Sequence, residues 1–225
     1  MIYVMSDIHG CGKAYHAMLR KIELCDSDHL YILGDVIDRG SDGISILEDI
    51  MHRENITMLL GNHEHMMLDA IFHPEDDMLS FRWESNGAYP TYQSFCSLAK
   101  EKQEAILDFL SGLSLETAIS CNGHTYRLVH AAPAYMFAEY NRRNWDETTF
   151  CVWYRIRKED TVSADETLIL VIRPLIGILM AYRFPYGTVR TVLTLTVAQA
   201  MVTAAGWLAC GLMTWPSSMW MRNSL

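Results

Sequence analysis

The sequence predicts an α/β layered fold, a β-sheet core with flanking helices. Three observations predict it. Short apolar runs alternate with segments whose apolar residues recur at helical spacing. Each apolar run closes on polar side chains, as strands of an α/β sheet do at their carboxyl ends. The chain has 225 residues, 50% of them hydrophobic and 20% charged, which is enough apolar material for one sizeable core.

The elements follow in order. Ile2–Met5 is a short apolar run ending at Ser6-Asp7, a buried strand. Lys13–Leu24 places Tyr15, Met18, Leu19 and Ile22 on one helical face. His29–Leu33 is a second strand, ending at Gly34-Asp35, and Ile44–Met51 is a helix with the stripe Ile44, Ile46, Leu47 and Ile50. Ile56–Leu60 is a third strand ending at Gly61-Asn62, and His63–Phe72 is the helix after it. Pro74–Tyr92 is polar and aromatic-rich without a clear period, and is left without an element. Glu101–Leu110 is helical. Leu115–Ser120 and Thr125–His130 form a hairpin about Asn122-Gly123.

Charge is distributed unevenly. All 27 Asp and Glu lie at or before Glu166, and all nine His at or before His130. Residues 1–166 carry 14 − 27 = −13, whereas 167–225 hold only Arg173, Arg183, Arg190 and Arg222, a charge of +4. The total of −9 argues against nucleic acid as a partner, because no basic surplus is available to neutralise phosphates. The six cysteines (Cys11, Cys25, Cys96, Cys121, Cys151, Cys210) form no CxxC pair and read as isolated thiols. Met1–Asp7 turns polar too soon for a signal peptide, so a cytoplasmic location is expected.

The strand ends gather Asp7 and His9, Asp35 and Asp38, Asn62 and His63, and His130. Taken singly, Asp-x-His or Asn-His-Glu is no more than a turn or a helix cap. Converging from several strands, Asp7, His9, Asp35, Asn62 and His130 form an oxygen and imidazole donor set suited to Mn²⁺, Fe²⁺ or Zn²⁺. Two carboxylates, two imidazoles and an amide exceed the needs of one open metal and fit a pair sharing a carboxylate. Such pairs clamp the attacking and leaving oxygens of a phosphoryl displacement, with a bridging hydroxide as nucleophile. Arg39 offers a planar fork for phosphate oxygens. His63, beside Asn62, suits a general acid for the leaving alcohol.

Ser6-Asp7-Ile8-His9-Gly10, Gly34-Asp35-Val36-Ile37-Asp38-Arg39-Gly40 and Gly61-Asn62-His63-Glu64 resemble the three N-terminal signatures of PPP-type metallophosphoesterases. That family includes serine/threonine protein phosphatases, bacterial phosphatases of the phage-lambda type and symmetrical diadenosine tetraphosphate hydrolases. The resemblance covers about the first 165 residues. It implies one metal on Asp7, His9 and Asp35, and a second on the shared Asp35 with Asn62 and His130, the last in Leu128-Val129-His130-Ala131. It implies His63 as general acid, Asp38 as its carboxylate partner, and Arg39 as a phosphate-binding residue. Trp153-Tyr154-Arg155 resembles the motif that carries a second phosphate-binding arginine, Arg155. Two divalent ions are the implied cofactors, manganese first, with iron or zinc as alternatives. His52, His65 and His124 match nothing and are expected to be structural or superficial.

One departure is large. The family's last ligand lies in Gly-His-Thr-Pro, but no histidine follows His130, and Val171-Ile172-Arg173-Pro174 stands at the expected place. Codons for Gly-His-Thr-Pro, read one base later, encode Val-Ile-Arg and open a Pro codon. Residues 1–168 therefore read as the metallophosphoesterase core. Residues 169–225 read as an aberrant apolar tail from a shifted frame, with the family's C-terminal strands missing or altered. The competing reading is a membrane anchor at Thr191–Met213, uncharged but rich in Thr and Ala. The expected activity is hydrolysis of phosphoserine and phosphothreonine in proteins, impaired by a weak second metal site. Alternatives are a dinucleoside polyphosphate hydrolase and a catalytically dead binding module. The segment Trp83–Thr91 is expected to shape the leaving-group side of the pocket.

Overall fold

A parallel strand covered on both faces reads as an unbroken apolar run, and this explains the first strand, whereas the second alternates partly exposed with buried residues. The structure, a computed structural model, describes residues 1–121, 124–157 and 160, and three further strands within 167–196. In order the elements are β1 (Ile2–Ser6), α1 (Gly12–Lys21), β2 (His29–Ile32), α2 (Gly43–Met51), β3 (Ile56–Met58) and α3 (Asn62–Phe72). Then come α4 (Asp77–Ser85), α5 (Tyr89–Cys96), α6 (Lys100–Ser111), β4 (Glu116–Cys121) and β5 (His124–Val129). A 3₁₀ turn, Ala134–Met136, leads into α7 (Phe137–Tyr140) and α8 (Glu147–Trp153). β6 (Thr167–Leu170), β7 (Met180–Ala181) and β8 (Leu193–Thr196) complete the order.

The strands form two sheets. One is parallel, in the order β3-β2-β1-β8, with Ile2 opposite His29 and Leu30 opposite Ile56. The other runs β4-β5-β6-β7, with β4 and β5 antiparallel from Glu116↔Val129 to Cys121↔His124. Side chains alternate across the first sheet with the period of two that a strand imposes. Tyr3, Met5, Leu30, Ile32, Ile56 and Met58 enter the larger core, which the stripes of α1, α2, α3 and α6 also fill. Val4 and Leu33 face the other way, and meet Ile119, Tyr126 and Leu128 of the second sheet. The first sheet thus lies between a helical layer and a second sheet, with His29, Tyr31 and Thr57, all partly buried, on the side away from the larger core.

The layered fold and the first six elements agree with the sequence reading. The hairpin strands also form; residues 122–123, expected to make its turn, lie outside the described residues. The stretch 74–92 corrects it: α4 and α5 occupy most of it. Only Trp83 is buried on α4, and Thr91 and Phe95 on α5, so no wide apolar stripe advertises either helix. Their starts are set locally. The Asp76 side chain accepts from Met78 N–H at 2.9 Å, and Pro90 sits in the first turn of α5.

Most of the tail, with Val171–Pro174, lies outside the described residues. Leu193–Thr196, inside the stretch weighed as a membrane anchor, form a strand beside β1, and Met180–Ala181 pair with β6. Among the described residues, no helix is long and apolar enough to cross a membrane.

Leu47 is fully buried on α2 at the centre of the larger core. Leu47→Ala should lower unfolding stability by about 2–5 kcal/mol through lost burial and a residual cavity. Glu104→Ala, on the exposed face of α6, should change it by less than about 0.5 kcal/mol. Urea unfolding followed by far-UV circular dichroism measures both.

Candidate active site

The loops that leave β1, β2 and β3 at their carboxyl ends are stitched together by backbone hydrogen bonds. His9 N–H donates to the Asp35 carbonyl at 2.9 Å, Gly10 N–H to Val36 at 2.7 Å, and Gly40 N–H to His9 at 3.1 Å. The packing is close enough to demand glycine. A Cβ on Gly34, whose φ is +82°, would lie 2.4 Å from Gly61 Cα. Of the seven non-glycine residues with positive φ among those described, five are Asp7, His9, Asp35, Asp38 and Arg39. Each such conformation costs about 1 kcal/mol or more and persists only where the surroundings impose it.

At Asp35 it is imposed by a residue to which the sequence reading gave no role. Glu64, fully buried in the first turn of α3, accepts four backbone N–H groups. One carboxylate oxygen takes Val36 N–H at 2.8 Å and Ile37 N–H at 3.2 Å. The other takes Asp35 N–H at 2.9 Å and Gly61 N–H at 3.2 Å. Burial and the nearby Asp35 charge push its carboxyl upward, and the backbone donors act against them. With four donors and no acceptor around it, the pocket fits the carboxylate form. The sequence signal was present, since Glu at the third position of a helix often reaches back to the N-cap, here Gly61. Its reach to the β2 loop was not legible.

Asp35 is the hub. Its Oδ2 lies 3.8 Å from His9 Nε2, and its Oδ1 lies 3.6 Å from His130 Nε2 and accepts from His63 N–H at 3.1 Å. Burial opposes its ionisation, but His130, His63 and His9, with the His63 N–H, hold the carboxyl well below the usual range. Asp7 Oδ1 stands 3.7 Å from the same His9 nitrogen. Metal–donor bonds of about 2.0–2.2 Å put neighbouring ligands about 3–3.5 Å apart, so these separations suit donors around a cation.

The tautomers can be worked out from the partners. His9 Nδ1 faces the Ile37 carbonyl at 3.1 Å, and His130 Nδ1 faces the Leu33 carbonyl at 2.6 Å. A carbonyl only accepts, so both imidazoles carry a proton on Nδ1 and, when neutral, turn an Nε2 lone pair inward. The His130 lone pair points at Asn62 Oδ1, 2.9 Å away, and at Asp35. With the Asn62 amide so oriented, three acceptors meet without a donor, an arrangement that a cation satisfies. On the other side, the Arg39 guanidinium donates to His9 Nε2 at 2.8 Å and to His63 Nε2 at 3.1 Å. There too the converging lone pairs hold positive charge. His9, Asp35 and His63 offer ligand atoms all within 4.8 Å of one another. The residues present therefore fit a metal centre: oxygen and imidazole donors, a central carboxylate, and fixed tautomers of the type that metal-binding histidines adopt.

His63 is paired with Asp38. Its Nδ1 donates to Asp38 Oδ2 at 2.6 Å, and both side chains are buried. Burial disfavours the imidazolium, but Asp35 and Asp38 outweigh it, and His63 is raised above the ordinary imidazole value despite Arg39. Eight of the nine sequence-predicted site residues thus share one network. The ninth, Arg155, lines a cavity of about 220 Å³ with Arg142, Arg143, Trp145 and Arg157, on the segment that follows β5. Trp83 and Thr91, from the segment expected to shape the leaving-group side, are both buried, and both bond Asp38. His65 is largely buried beside Asp69, and His52 is exposed at the end of α2.

A two-sheet α/β layer thus carries this donor set and a histidine–carboxylate pair at its strand ends. The chain belongs to the calcineurin-like phosphoesterase family, whose model matches residues 1–176. Members of this family are dinuclear, metal-dependent phosphoesterases. Among its relatives is a symmetrical bis(5'-nucleosyl)-tetraphosphatase of Buchnera aphidicola subsp. Schizaphis graminum. It is 40% identical over 65 residues, which is 28% of this chain and 24% of the relative. Serine/threonine-protein phosphatase 2 of Salmonella typhimurium is 36% identical over 105 residues, 46% of this chain and 44% of that protein. Serine/threonine-protein phosphatase 1 of the same organism is 28% identical over 137 residues, 58% of each chain. The chain thus spans between a quarter and three fifths of the lengths of these relatives.

Glu64→Gln tests the central constraint. The amide would turn its NH₂ toward two of the four backbone N–H donors and leave those two unpaired. We expect a loss of about 2–4 kcal/mol in stability, measured by urea unfolding. Manganese binding measured calorimetrically should weaken in parallel, because the β2 and β3 loops lose their common anchor.

Proposed function

We propose that the chain hydrolyses phosphomonoesters, with phosphoserine and phosphothreonine side chains of proteins as substrates. The observation that carries this reading is the position of Asp35, one oxygen toward His9 and the other toward His130, with the His63–Asp38 pair at its side. Asp7, His9 and Asp35 would hold one divalent ion, and Asp35, Asn62 and His130 the other. The hard oxygen and imidazole donors favour manganese, with iron or zinc as alternatives. When bound, two such ions supply Lewis acidity toward the phosphoryl group and activate the attacking water.

The protein's own groups do the rest. The Arg39 fork would bind phosphoryl oxygens, and Arg155 is the second arginine proposed for that role. As the water oxygen bonds to phosphorus and the ester P–O bond breaks, His63 gives its Nε2 proton to the leaving alkoxide. Asp38 keeps the Nδ1 side fixed and stabilises the imidazolium. In the conformation seen, Arg39 donates to that same Nε2. A guanidinium and a second imidazole proton cannot share one lone pair, so the proton is taken up as Arg39 turns to the substrate.

A second reading has its own support. The 40% identical relative is named a symmetrical bis(5'-nucleosyl)-tetraphosphatase, and the same dinuclear centre would serve a dinucleoside polyphosphate. Hydrolysis of a phosphothreonine peptide and of diadenosine tetraphosphate, each with Mn²⁺, separates the two. Faster turnover of the dinucleotide would overturn the protein-phosphatase assignment. His63→Asn should lower kcat on the phosphopeptide about 10²–10⁴-fold while KM changes little.

Val171-Ile172-Arg173-Pro174 stands where the resemblance implies the family's final imidazole, and we propose that the second ion is held without it. We expect one tight and one weak Mn²⁺ per chain by calorimetry. Turnover of p-nitrophenyl phosphate should be lower than that of a version with the alternative reading frame restored from 169 onward. Equal rates would remove this part of the proposal.

A further inference from the structure

Asp38 is gripped by the helix pair α4–α5. Its Oδ2 accepts two hydrogen bonds, from His63 Nδ1 at 2.6 Å and from Trp83 Nε1 at 2.9 Å. Its backbone N–H donates to Thr91 Oγ1 at 2.8 Å, and the next N–H, of Arg39, donates to the Gly87 carbonyl at 2.9 Å. Residues 83, 87 and 91 therefore hold residues 38 and 39 by a side-chain donor, a main-chain acceptor and a hydroxyl. Both held residues have left-handed backbones, φ +70° and +68°, a conformation that must be imposed from outside. Gly87 allows the close approach: its φ is +97°, and a Cβ there would meet Arg39 Cγ at 3.0 Å.

A buried indole needs an acceptor, and any main-chain carbonyl would satisfy it. Here Trp83, buried on α4, uses instead the carboxylate oxygen that His63 uses. Asp38 Oδ1, also buried, has no hydrogen-bond partner among the described residues. Both bonds thus converge on one oxygen. Without the indole donor, the carboxylate could rotate about its Cβ–Cγ bond and exchange oxygens, and the imidazole would lose its fixed orientation. We propose that Trp83 is a positioning residue for His63, acting through Asp38, so that the α4–α5 pair orients the proton donor. This rests on the reading of His63 as general acid.

Two measurements on the full chain test it. The first uses leaving groups of graded basicity. Nitrophenolate departs without a proton, whereas the alkoxide of phosphoserine needs one. Trp83→Phe removes the N–H and keeps an aromatic ring. It should lower kcat on a phosphoserine peptide about tenfold more than on p-nitrophenyl phosphate, a fraction of what a general acid contributes. Equal losses on both substrates, or none, would overturn the inference. His63→Ala is the control. If it leaves the leaving-group dependence unchanged, the general-acid reading itself fails; if it steepens the dependence and Trp83→Phe does not, only the Trp83 assignment fails.

The second measurement needs no turnover. In the metal-free protein with ¹⁵N-labelled histidine, the His63 Nδ1 proton should give a slowly exchanging downfield resonance from its bond to Asp38. Trp83→Phe should shift or broaden it. Thr91→Val, which removes the hydroxyl from Asp38 N–H at similar volume, should do so to a lesser degree and serves if Trp83→Phe does not fold. An unchanged resonance in a folded variant would overturn the inference.

Discussion

The candidate site depends on one buried carboxylate. Glu64 projects from the first turn of α3 and binds the N–H groups of Asp35, Val36, Ile37 and Gly61. Among the described residues Glu64 is the acceptor on which those four donors converge, and an unpaired buried N–H is costly. The carboxylate thereby fixes the loop after β2 against the start of α3, which sets where Asp35 and Asn62 stand relative to each other. A surface charge could not do this, because water would compete for every one of the donors. Burial makes Glu64 expensive to accommodate, and the complete set of backbone donors makes it tolerable.

Around that anchor the backbone is strained where the functional side chains emerge. Asp7, His9, Asp35, Asp38 and Arg39 all have positive φ. A strand continuing in extended geometry would set residues two apart about 6.5–7 Å from each other along its axis. Left-handed turns at the strand ends instead bring Asp7 and His9, two residues apart, to one point. The same device lets Asp38 and Arg39, adjacent in the chain, serve opposite ends of His63: Asp38 takes the Nδ1 proton and Arg39 donates to Nε2. Interstrand hydrogen bonds and the apolar layers on both faces of the first sheet offset the strain.

The site has an inner and an outer ring of control. Within it, backbone carbonyls of Leu33 and Ile37 choose the tautomers of His130 and His9, so that lone pairs point inward. Outside it, α4 and α5 hold Asp38 and Arg39 from behind. Neither carbonyl belongs to a side chain, and neither helix carries a long apolar stripe. Chemistry at the centre therefore depends on groups that residue types alone do not identify.

The apolar runs at Ile2, His29 and Ile56, each closing on Asp, Asp-x-x-Asp or Asn-His, were enough to predict the α/β layering and to assemble eight residues that the structure places in one network. That much is local, because a strand buried on both faces must be apolar throughout, and its carboxyl end is where polar groups can surface. The two paired strands β4 and β5 were legible as short runs on either side of a turn dipeptide. The charge skew and the absence of histidine after His130 are likewise properties of the sequence alone. What only the tertiary structure decided lies in contacts between distant segments. Glu64 reaches 29 residues back to Asp35, and Trp83 reaches 45 back to Asp38. α4 and α5, with only one and two buried residues, show their purpose only when Asp38 is set beneath them. A hydrogen bond across such distances leaves no period in the sequence, because it requires one donor and one acceptor and nothing of the residues between.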